Sequence, residues 1–483
     1  MSIRREERMS EFNQKSRKRN AMLLSGMGML NQIISNIAAF IYRTVFIYWL
    51  SVEYLGINGL FTNIIQIFSL AELGIGSVII FRLYKPIKEE NVSQTAALMH
   101  FYKSFYQLMA IIIIIVGVAL APFLPYIIHD TSEIPDDINL YVVYALYILQ
   151  SATSYMFAYR QALLDADQKG YINTAVQMVF TCLRYGASIL VLYFTRNYTL
   201  VLMIGIIVNL LGNIWIYVYV SHTYSDIFHN KTRLSKNEIL QIYKDTGAML
   251  CHRIGSTVVN STDNIIMSMY VGTVAVGLYS NYYMIIQIIQ NVMNNLLGSF
   301  TASIGNHALS VENKERYQLY KKLRFANMWI SVFCTSSLYL LLNPFIEVVW
   351  GQELLFSTDI VFILCLNFFL YSSRIVNGSF SNASGMFVYD KARPLVEAAL
   401  NLVISIILAQ KMGISGVFLG TIISSLFTVW WREPYLLYKK VFEEKIRNYF
   451  GTYILWMALL VVITICLDGC FSQMPINILY LVV

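Results

Sequence analysis

The chain has 483 residues, of which 57% are hydrophobic and only 13% charged, against roughly 45–50% and about 25% in soluble domains. A soluble chain of this length would divide into several globular domains with charged surfaces, and 35 basic plus 28 acidic residues are too few to cover them. The net charge of +7 is no nucleic-acid signal, because the basic residues lie in loops between apolar runs, and the 6 cysteines form neither a CxxC pair nor a short Cys/His cluster; an ordinary soluble enzyme, a disulfide scaffold and a zinc site are all excluded.

A spanning helix needs about 20 mostly apolar residues, since the hydrocarbon core is about 30 Å thick and each residue rises about 1.5 Å. The opening segment, MSIRREERMSEFNQKSRKRN, is basic and has no apolar core, so it reads as a cytoplasmic lead-in rather than a cleaved signal peptide. Spans are then predicted over residues 21–50, 55–81, 105–128, 140–159, 171–194 and 199–221. A polar, basic connector at 223–245 separates these from runs at 246–271, 274–304, 325–350, 360–388, 395–409 and 414–431. One more follows at 450–467, and the apolar stretch 476–483 is too short to cross, so the chain is expected to stop inside a fourteenth helix. The predicted fold class is an all-α polytopic membrane protein, with thirteen full spans and a partial fourteenth. Its expected parts are a basic N-terminus (1–20), an N-lobe of six helices (21–222), the connector (223–245), a C-lobe of six helices (246–447) and additional C-terminal helices (448–483). Period-two alternation of the outer-membrane kind is absent.

Alternating the connections across the bilayer places most of the 35 basic residues on one side, including Arg82, Lys85, Lys231, Arg233, Lys321, Lys322 and Lys439. The opposite side holds Arg196 and Lys411, and the stretch HDTSEIPDD there is acidic. This is the positive-inside pattern and sets the N-terminus in the cytosol. No GxxxxGK[ST] loop occurs, so uphill work would come from an ion gradient or the substrate's own gradient, and no cofactor is implied.

A second-half segment echoes the first at an offset of 221 residues: Ile64-Ile65-Gln66-Ile67 recurs as Ile285-Ile286-Gln287-Ile288, and Gly56 falls on Gly277. The matched stretches lie in the second and eighth spans, which makes the repeat six helices long. Two such halves would enter the membrane in the same sense, with a substrate path between them.

Polar side chains recur at helical spacing inside several spans. Gln287, Gln290, Asn291 and Asn294 share a face in the eighth; Arg253, Thr257, Asn260 and Asp263 or Asn264 form a stripe in the seventh; Gln32, Asn36 and Arg43 form one in the first. Asn367, Tyr371, Arg374, Asn377 and Ser381 line up in the tenth, and Thr62, Gln66, Ser69 and Glu72 in the second. A charge at mid-bilayer costs about 2.5–3.5 kcal/mol or more, so these residues face protein or water. Two uses compete. The amides can cross-link helices while Arg43, Arg253 or Arg374 pairs with Glu72 or Asp263. Alternatively, the amides bind sugar hydroxyls and the arginines draw an anionic phosphate into a lumen. Substrate binding is assigned to Arg43, Arg253, Arg374, Asn260, Gln287 and Asn291, and ion coupling to Glu72 and Asp263; Arg184 and Glu397 stand alone and are read as structural.

The stretch Tyr42-Arg43-Thr44-Val45-Phe46-Ile47-Tyr48, followed by Glu53-Tyr54-Leu55-Gly56-Ile57-Asn58-Gly59-Leu60-Phe61 and Ser69-Leu70-Ala71-Glu72-Leu73-Gly74-Ile75-Gly76-Ser77, resembles the opening of bacterial polysaccharide-biosynthesis flippases. Tyr84-Lys85-Pro86 belongs to the same likeness, and Thr262-Asp263-Asn264 with Val276-Gly277-Leu278-Tyr279-Ser280 looks like the second-half counterpart. These flippases fall in the multidrug/oligosaccharidyl-lipid/polysaccharide exporter superfamily. The resemblance implies two six-helix bundles around a V-shaped cavity, and transfer of undecaprenyl-diphosphate-linked oligosaccharide to the outer leaflet of the bacterial inner membrane. It also implies lumenal cationic groups, which map by helix onto Arg43, Arg253 and Arg374, and contact with a polysaccharide polymerase or other assembly proteins. An ion-coupled multidrug exporter and a peptidoglycan-precursor flippase are the alternatives within the superfamily. A membrane glycosyltransferase would need larger extramembrane loops than this chain has.

Overall fold

Inside hydrocarbon each backbone N–H and C=O must find its partner within the protein, and for a long apolar segment the α-helix is the local way to do so. The computed structural model of the protein describes residues 2–68, 75–128, 134–298, 313–386, 389–390 and 392–471, with no side chains for 2–18, 21, 77, 245, 247–256, 258–260, 468 and 470–471. Among the described residues there is no strand, and ten helices are long and apolar enough to cross a membrane. The protein is a multi-pass membrane protein.

The first helix, α1 (Ser2–Trp49), runs unbroken from the basic lead-in into the first span, and α2 (Val52–Phe68), α3 (Ile75–Lys88) and α4 (Val92–Leu120) follow. Next come α5 (Leu140–Ala158), the short α6 (Gln161–Ala166), α7 (Gly170–Thr195) and α8 (Tyr198–Thr223). Asparagines placed just before the apolar runs start three of these helices. Asn91 caps α4 by accepting from the Gln94 amide at 3.0 Å, Asn139 caps α5 from Tyr141 and Val142, and Asn197 caps α8 from Leu200. The connector ends in a capping box: the Glu238 carboxylate accepts from the Ser235 amide at 2.8 Å while the Ser235 hydroxyl accepts from the Glu238 amide at 3.3 Å. That box opens α9 (Lys236–Tyr270).

The second half continues with α10 (Thr273–Gly298), α11 (Asn313–Trp350), α12 (Thr358–Ser372), α13 (Ile375–Ala383), α14 (Arg393–Met412), α15 (Ile414–Phe427), α16 (Val429–Leu437) and α17 (Arg447–Phe471). Two predicted spans are interrupted. The run 360–388 breaks between α12 and α13, where Asn327 donates to the freed Ser373 carbonyl at 2.9 Å and the Ser373 hydroxyl meets that of Tyr453 at 3.1 Å. The run 414–431 breaks at Thr428 (φ −120°, ψ −88°). Apolar periodicity is blind to such breaks, because neighbouring helices supply the missing hydrogen bonds. The predicted span 55–81 is represented by α2 and α3, with residues 69–74 outside the described part.

The chain forms two compact units, Met1–Ser51 with Ile65–Leu124 and Ile134–Arg253, and Val52–Ile64 with Pro125–Glu133 and Ile254–Val483. In the first, Phe46 and Tyr198 pack edge to face at 5.9 Å between ring centroids, and the buried Tyr144 hydroxyl donates to the Gly117 carbonyl at 3.0 Å. Arg160 is buried there too: its guanidinium lies 3.5 Å from the Tyr217 ring centroid and 4.2 Å from that of Phe228, and it donates to the Tyr217 carbonyl. This cation–π clamp fixes the C-terminal end of α8 and the residues just after it.

Small residues set the closest approaches in the second unit. Gly416 and Gly420, four apart on α15, press against α14; a Cβ on Gly416 would lie 2.1 Å from the Leu408 carbonyl oxygen, and one on Gly420 2.2 Å from the Ser405 hydroxyl. A second crossing joins the start of α2 to the start of α10. A Cβ on Gly56 would sit 2.0 Å from the Thr273 carbonyl oxygen, and one on Gly277 2.4 Å from that of Val52. The contact is reciprocal at the 221-residue offset, since Val52 corresponds to Thr273 as Gly56 does to Gly277. It explains why residues 52–64, placed in the first lobe from sequence, group with the second unit.

Candidate functional site

Within the first unit, α1, α5, α6, α7 and α8 line an open cavity of about 430 Å³ whose lining is mostly polar. Gln150, Ser154 and Gln161 come from α5 and α6, Gln177, Thr181 and Arg184 from α7, Asn209 and Asn213 from α8, and Asn31 from α1. The intervals on α7 are four and three, and Asn209 and Asn213 are four apart, so each helix presents one polar face. Gly212 leaves room for the Phe180 ring, which a Cβ there would meet at 2.9 Å.

Little of this polarity is consumed internally. Gln161 donates to Asn213 at a long 3.5 Å and Asn31 accepts from Ser35 at 3.2 Å. The side chains of Gln150, Gln177 and Asn209 make no hydrogen bond within the described residues. Arg184 rests 4.4 Å above the Tyr185 ring and makes no ion pair there. No residue lining the cavity is acidic. Amides that can both donate and accept suit a hydroxyl-rich ligand, and a lone guanidinium suits an oxyanion. Leaving such groups unsolvated within an apolar bundle is costly, so the cavity is suited to water or a polar ligand.

The second unit uses its polar groups differently. Asp263 on α9 is buried; one carboxylate oxygen accepts from Thr421 at 2.9 Å and the other has no partner. Thr421 in turn accepts from Asn401 at 2.9 Å, and Asn401 accepts from Thr262 at 3.4 Å. The Asn264 side-chain oxygen is also unpartnered. Hydroxyl and amide groups from α9, α14 and α15 thus surround Asp263, and no arginine pairs with it among the described residues. A carboxylate so placed, with a spare oxygen, can take a proton or a small cation.

Arg374 precedes the first turn of α13, at the break after α12, and faces Glu433 of α16 with 3.5 Å between Nε and Oε2. This differs from the pairing with Glu72 or Asp263 expected on the cross-linking reading. Beside them a tighter cluster joins Asp390 to Arg393 at 2.5 Å and to Arg432 at 2.8 Å, and Glu397 to Arg393 at 2.7 Å. Glu397 also accepts from Ser425 at 3.0 Å, so it is built into a network rather than isolated.

The remaining residues singled out from sequence are dispersed. Arg43 is half-buried on α1, near the hydroxyls of Tyr42 and Tyr185. Gln287 on α10 is exposed and donates to the Tyr283 hydroxyl at 3.3 Å; Asn291 is half-buried on the same helix. Arg253 and Asn260 lie on α9, but their side chains fall outside the described part, and Glu72 falls outside it altogether. Asn377, from the tenth-span stripe, is wholly buried, accepting from Tyr320 at 2.9 Å and donating to Tyr449 at 3.1 Å, which makes it a cross-link. The cavity around Arg184 escaped the sequence reading, although the same spacing test applied to the fourth, fifth and sixth spans picks out Gln150 and Ser154, Gln177 to Arg184, and Asn209 with Asn213.

A family model described as polysaccharide biosynthesis protein matches residues 23–300. No curated protein matches the chain. Among solved structures, the chain is similar to the lipid II flippase MurJ in an inward closed conformation, with a TM-score of 0.64, 14% identity and 95% of each chain covered. It is similar to an inward-facing multidrug resistance MATE family transporter of the MOP superfamily, with a TM-score of 0.62 and 13% identity over 82% of this chain and 91% of that one. A Vibrio cholerae MATE transporter, VcmN, gives a TM-score of 0.58 at 15% identity over 90% of this chain and 98% of that one. At these identities the likeness is one of fold, that of proteins built from two helical bundles.

Proposed function

The chain belongs to the polysaccharide biosynthesis protein family, and from that premise we propose that it is a flippase carrying undecaprenyl-diphosphate-linked oligosaccharide repeat units from the cytoplasmic to the outer leaflet by alternating access, for surface polysaccharide assembly. The observation that carries this reading is the cavity around Arg184: unspent amides and one guanidinium, free of carboxylates, inside an apolar bundle. A sugar headgroup cannot cross hydrocarbon unaided, whereas a polar lumen lets it cross while the lipid tail stays in the bilayer. Arg184 and its amides take hydroxyls and an anionic group. Arg43, Arg253, Arg374, Asn260, Gln287 and Asn291 are further substrate-binding residues on this reading. Asp263, with Glu72, is the ion-coupling group, its free oxygen supporting that role. The protein works in the bacterial inner membrane with its N-terminus in the cytosol, handing substrate to a polymerase or other assembly proteins, and needs no cofactor.

An acid-free cavity is poorly suited to cationic drugs, which argues against multidrug export. A peptidoglycan precursor would present the same diphosphate and sugar chemistry, and the test separates the two. Liposomes carrying a fluorescent polyprenyl-diphosphate oligosaccharide in one leaflet are scored for probe reaching the other. Protein-dependent exposure of the oligosaccharide, exceeding that of a peptidoglycan-precursor headgroup, is the expected result; preference for the precursor, or for cationic dyes under a proton gradient, overturns the assignment. Asp263→Asn is expected to remove any stimulation of flipping by an imposed sodium or proton gradient at a fixed bulk pH, and retention of that stimulation would remove Asp263 from the coupling role.

A further inference from the structure

The six charged side chains at the junction of α13, α14 and α16 are unequally satisfied. Asp390 accepts from both Arg393 and Arg432, and Glu397 from Arg393 and Ser425, all between 2.5 and 3.0 Å. The Arg374–Glu433 pair is different: its approach is 3.5 Å, and neither Nε of Arg374 nor Oε2 of Glu433 has a hydrogen-bond partner although both atoms are buried. Buried polar groups are nearly always hydrogen-bonded, so a mutually unsatisfied pair beside a well-made network marks a site with a second state. The Arg374 side chain keeps 21% of its surface accessible against 11% for Glu433, so the guanidinium is the member a ligand reaches.

The charges facing Glu433 decide what that second state is. Arg374 approaches from the start of α13, Arg393 and Glu397 from α14, Asp390 from the turn before it, and the Tyr449 hydroxyl from α17; Arg432 precedes Glu433 on its own helix. The Tyr453 hydroxyl of α17 lies in the field of Arg374. Three arginines and three carboxylates balance, so with all of them charged the cluster has no net attraction for an anion. A proton on Glu433 leaves one positive charge in excess, on the accessible arginine. Arg393 and Arg432 stay engaged with Asp390, so the freed charge is that of Arg374.

We propose that Arg374 and Glu433 form a proton-released anion site, in which protonation of Glu433 frees Arg374 to bind a phosphate oxyanion, so that anion binding and proton uptake are linked. This rests on the reading of a diphosphate-bearing substrate and deepens the part given to Arg374. The shared chemistry is that of a diphosphate, whether on a lipid headgroup or free. Linkage is reciprocal: the anion raises the proton affinity of Glu433 as much as the proton raises the anion's.

Binding of inorganic pyrophosphate, and separately of polyprenyl diphosphate in nanodiscs, is measured for the full chain across pH, together with proton release or uptake reported by a pH dye. Binding is expected to weaken about tenfold per pH unit once Glu433 is ionised, with about one proton taken up per anion bound. Binding of both probes assigns the site to diphosphate as such, and binding of the lipid alone assigns it to the membrane headgroup. Glu433→Gln is expected to bind at the tight, low-pH level at every pH, and Arg374→Gln to lose the pH-dependent part of binding together with the proton uptake. Unchanged pH dependence in Glu433→Gln, or anion binding by the wild type without proton uptake, overturns the inference. The proton count needs no variant, so it stands even where a substitution impairs folding. If the wild type flips oligosaccharide yet shows no such linkage, only this inference falls; if it flips no oligosaccharide at any pH, the proposed function falls with it.

Discussion

The cavity around Arg184 in the first unit and the well-made side-chain networks of the second treat polarity in opposite ways, although within the second unit Asp263, Asn264, Arg374 and Glu433 keep unpartnered atoms. In the first, amides and Arg184 converge on a cavity and leave most of their hydrogen-bonding capacity open. In the second, Asn377 joins two tyrosines, Tyr282 bridges Asn343 and the Phe356 amide, and Asp390 holds two arginines. A polar group that is spent on protein stabilises the bundle, and one that is left open waits for a ligand. Polar residues at helical spacing look alike in sequence whichever of the two they do.

That contrast can be broken most sharply at Arg184. Reversing its charge with Arg184→Glu should lower flipping of an anionic lipid-linked sugar by roughly ten- to a hundredfold, the equivalent of one lost charge-assisted contact. The melting temperature should stay near that of the wild type, and a large fall in it would mean that the cavity is structural. Tight packing in the second unit should show the reverse pattern. Gly56→Leu forces a side chain against the Thr273 carbonyl and is expected to cost about 1–3 kcal/mol, or more where the backbone cannot shift, read as a lower midpoint in thermal or denaturant unfolding.

Tyr282→Phe sharpens the comparison at a single hydroxyl. That hydroxyl donates to Asn343 at 2.5 Å and accepts from the Phe356 amide at 2.7 Å, so its loss strands two groups, at a cost of about 1–3 kcal/mol in stability. Flipping by the surviving folded protein should be unchanged. The smallest effect belongs to the exposed capping box. Hydrogen bonds from the Ser235 hydroxyl and amide hold the Glu238 carboxyl below its ordinary pKa. Its stabilising contribution is therefore present above the ordinary carboxylate range and lost as pH falls through the lower folded value. Faster hydrogen exchange in the first turn of α9 on acidification, absent in Glu238→Gln, is the expected signature.

Much of the architecture was legible because lipid imposes so strict a rule on the backbone: the runs 140–159, 171–194 and 199–221 correspond to α5, α7 and α8 within a few residues. The break at Arg374 was hidden, since the hydrogen bonds that tolerate it come from Asn327 and Tyr453, far away in the chain. The site was less legible for a related reason. Arg184 seemed solitary, because apart from Gln177 on its own helix the amides that give it company come from four other helices. Arg374, by contrast, stood in an evident stripe, yet its partner Glu433 lies where the sequence showed only a loop rich in basic residues.

The meeting of Gly56 with Gly277 carries a consequence for how the two helices can vary. Most positions on a pair of packed helices can change independently. Here each helix's glycine is the space into which the other helix's backbone fits, Thr273 against Gly56 and Val52 against Gly277. A side chain gained on either helix displaces both. The pair therefore forms a joint constraint: neither glycine can be exchanged without moving the backbone on which the other depends.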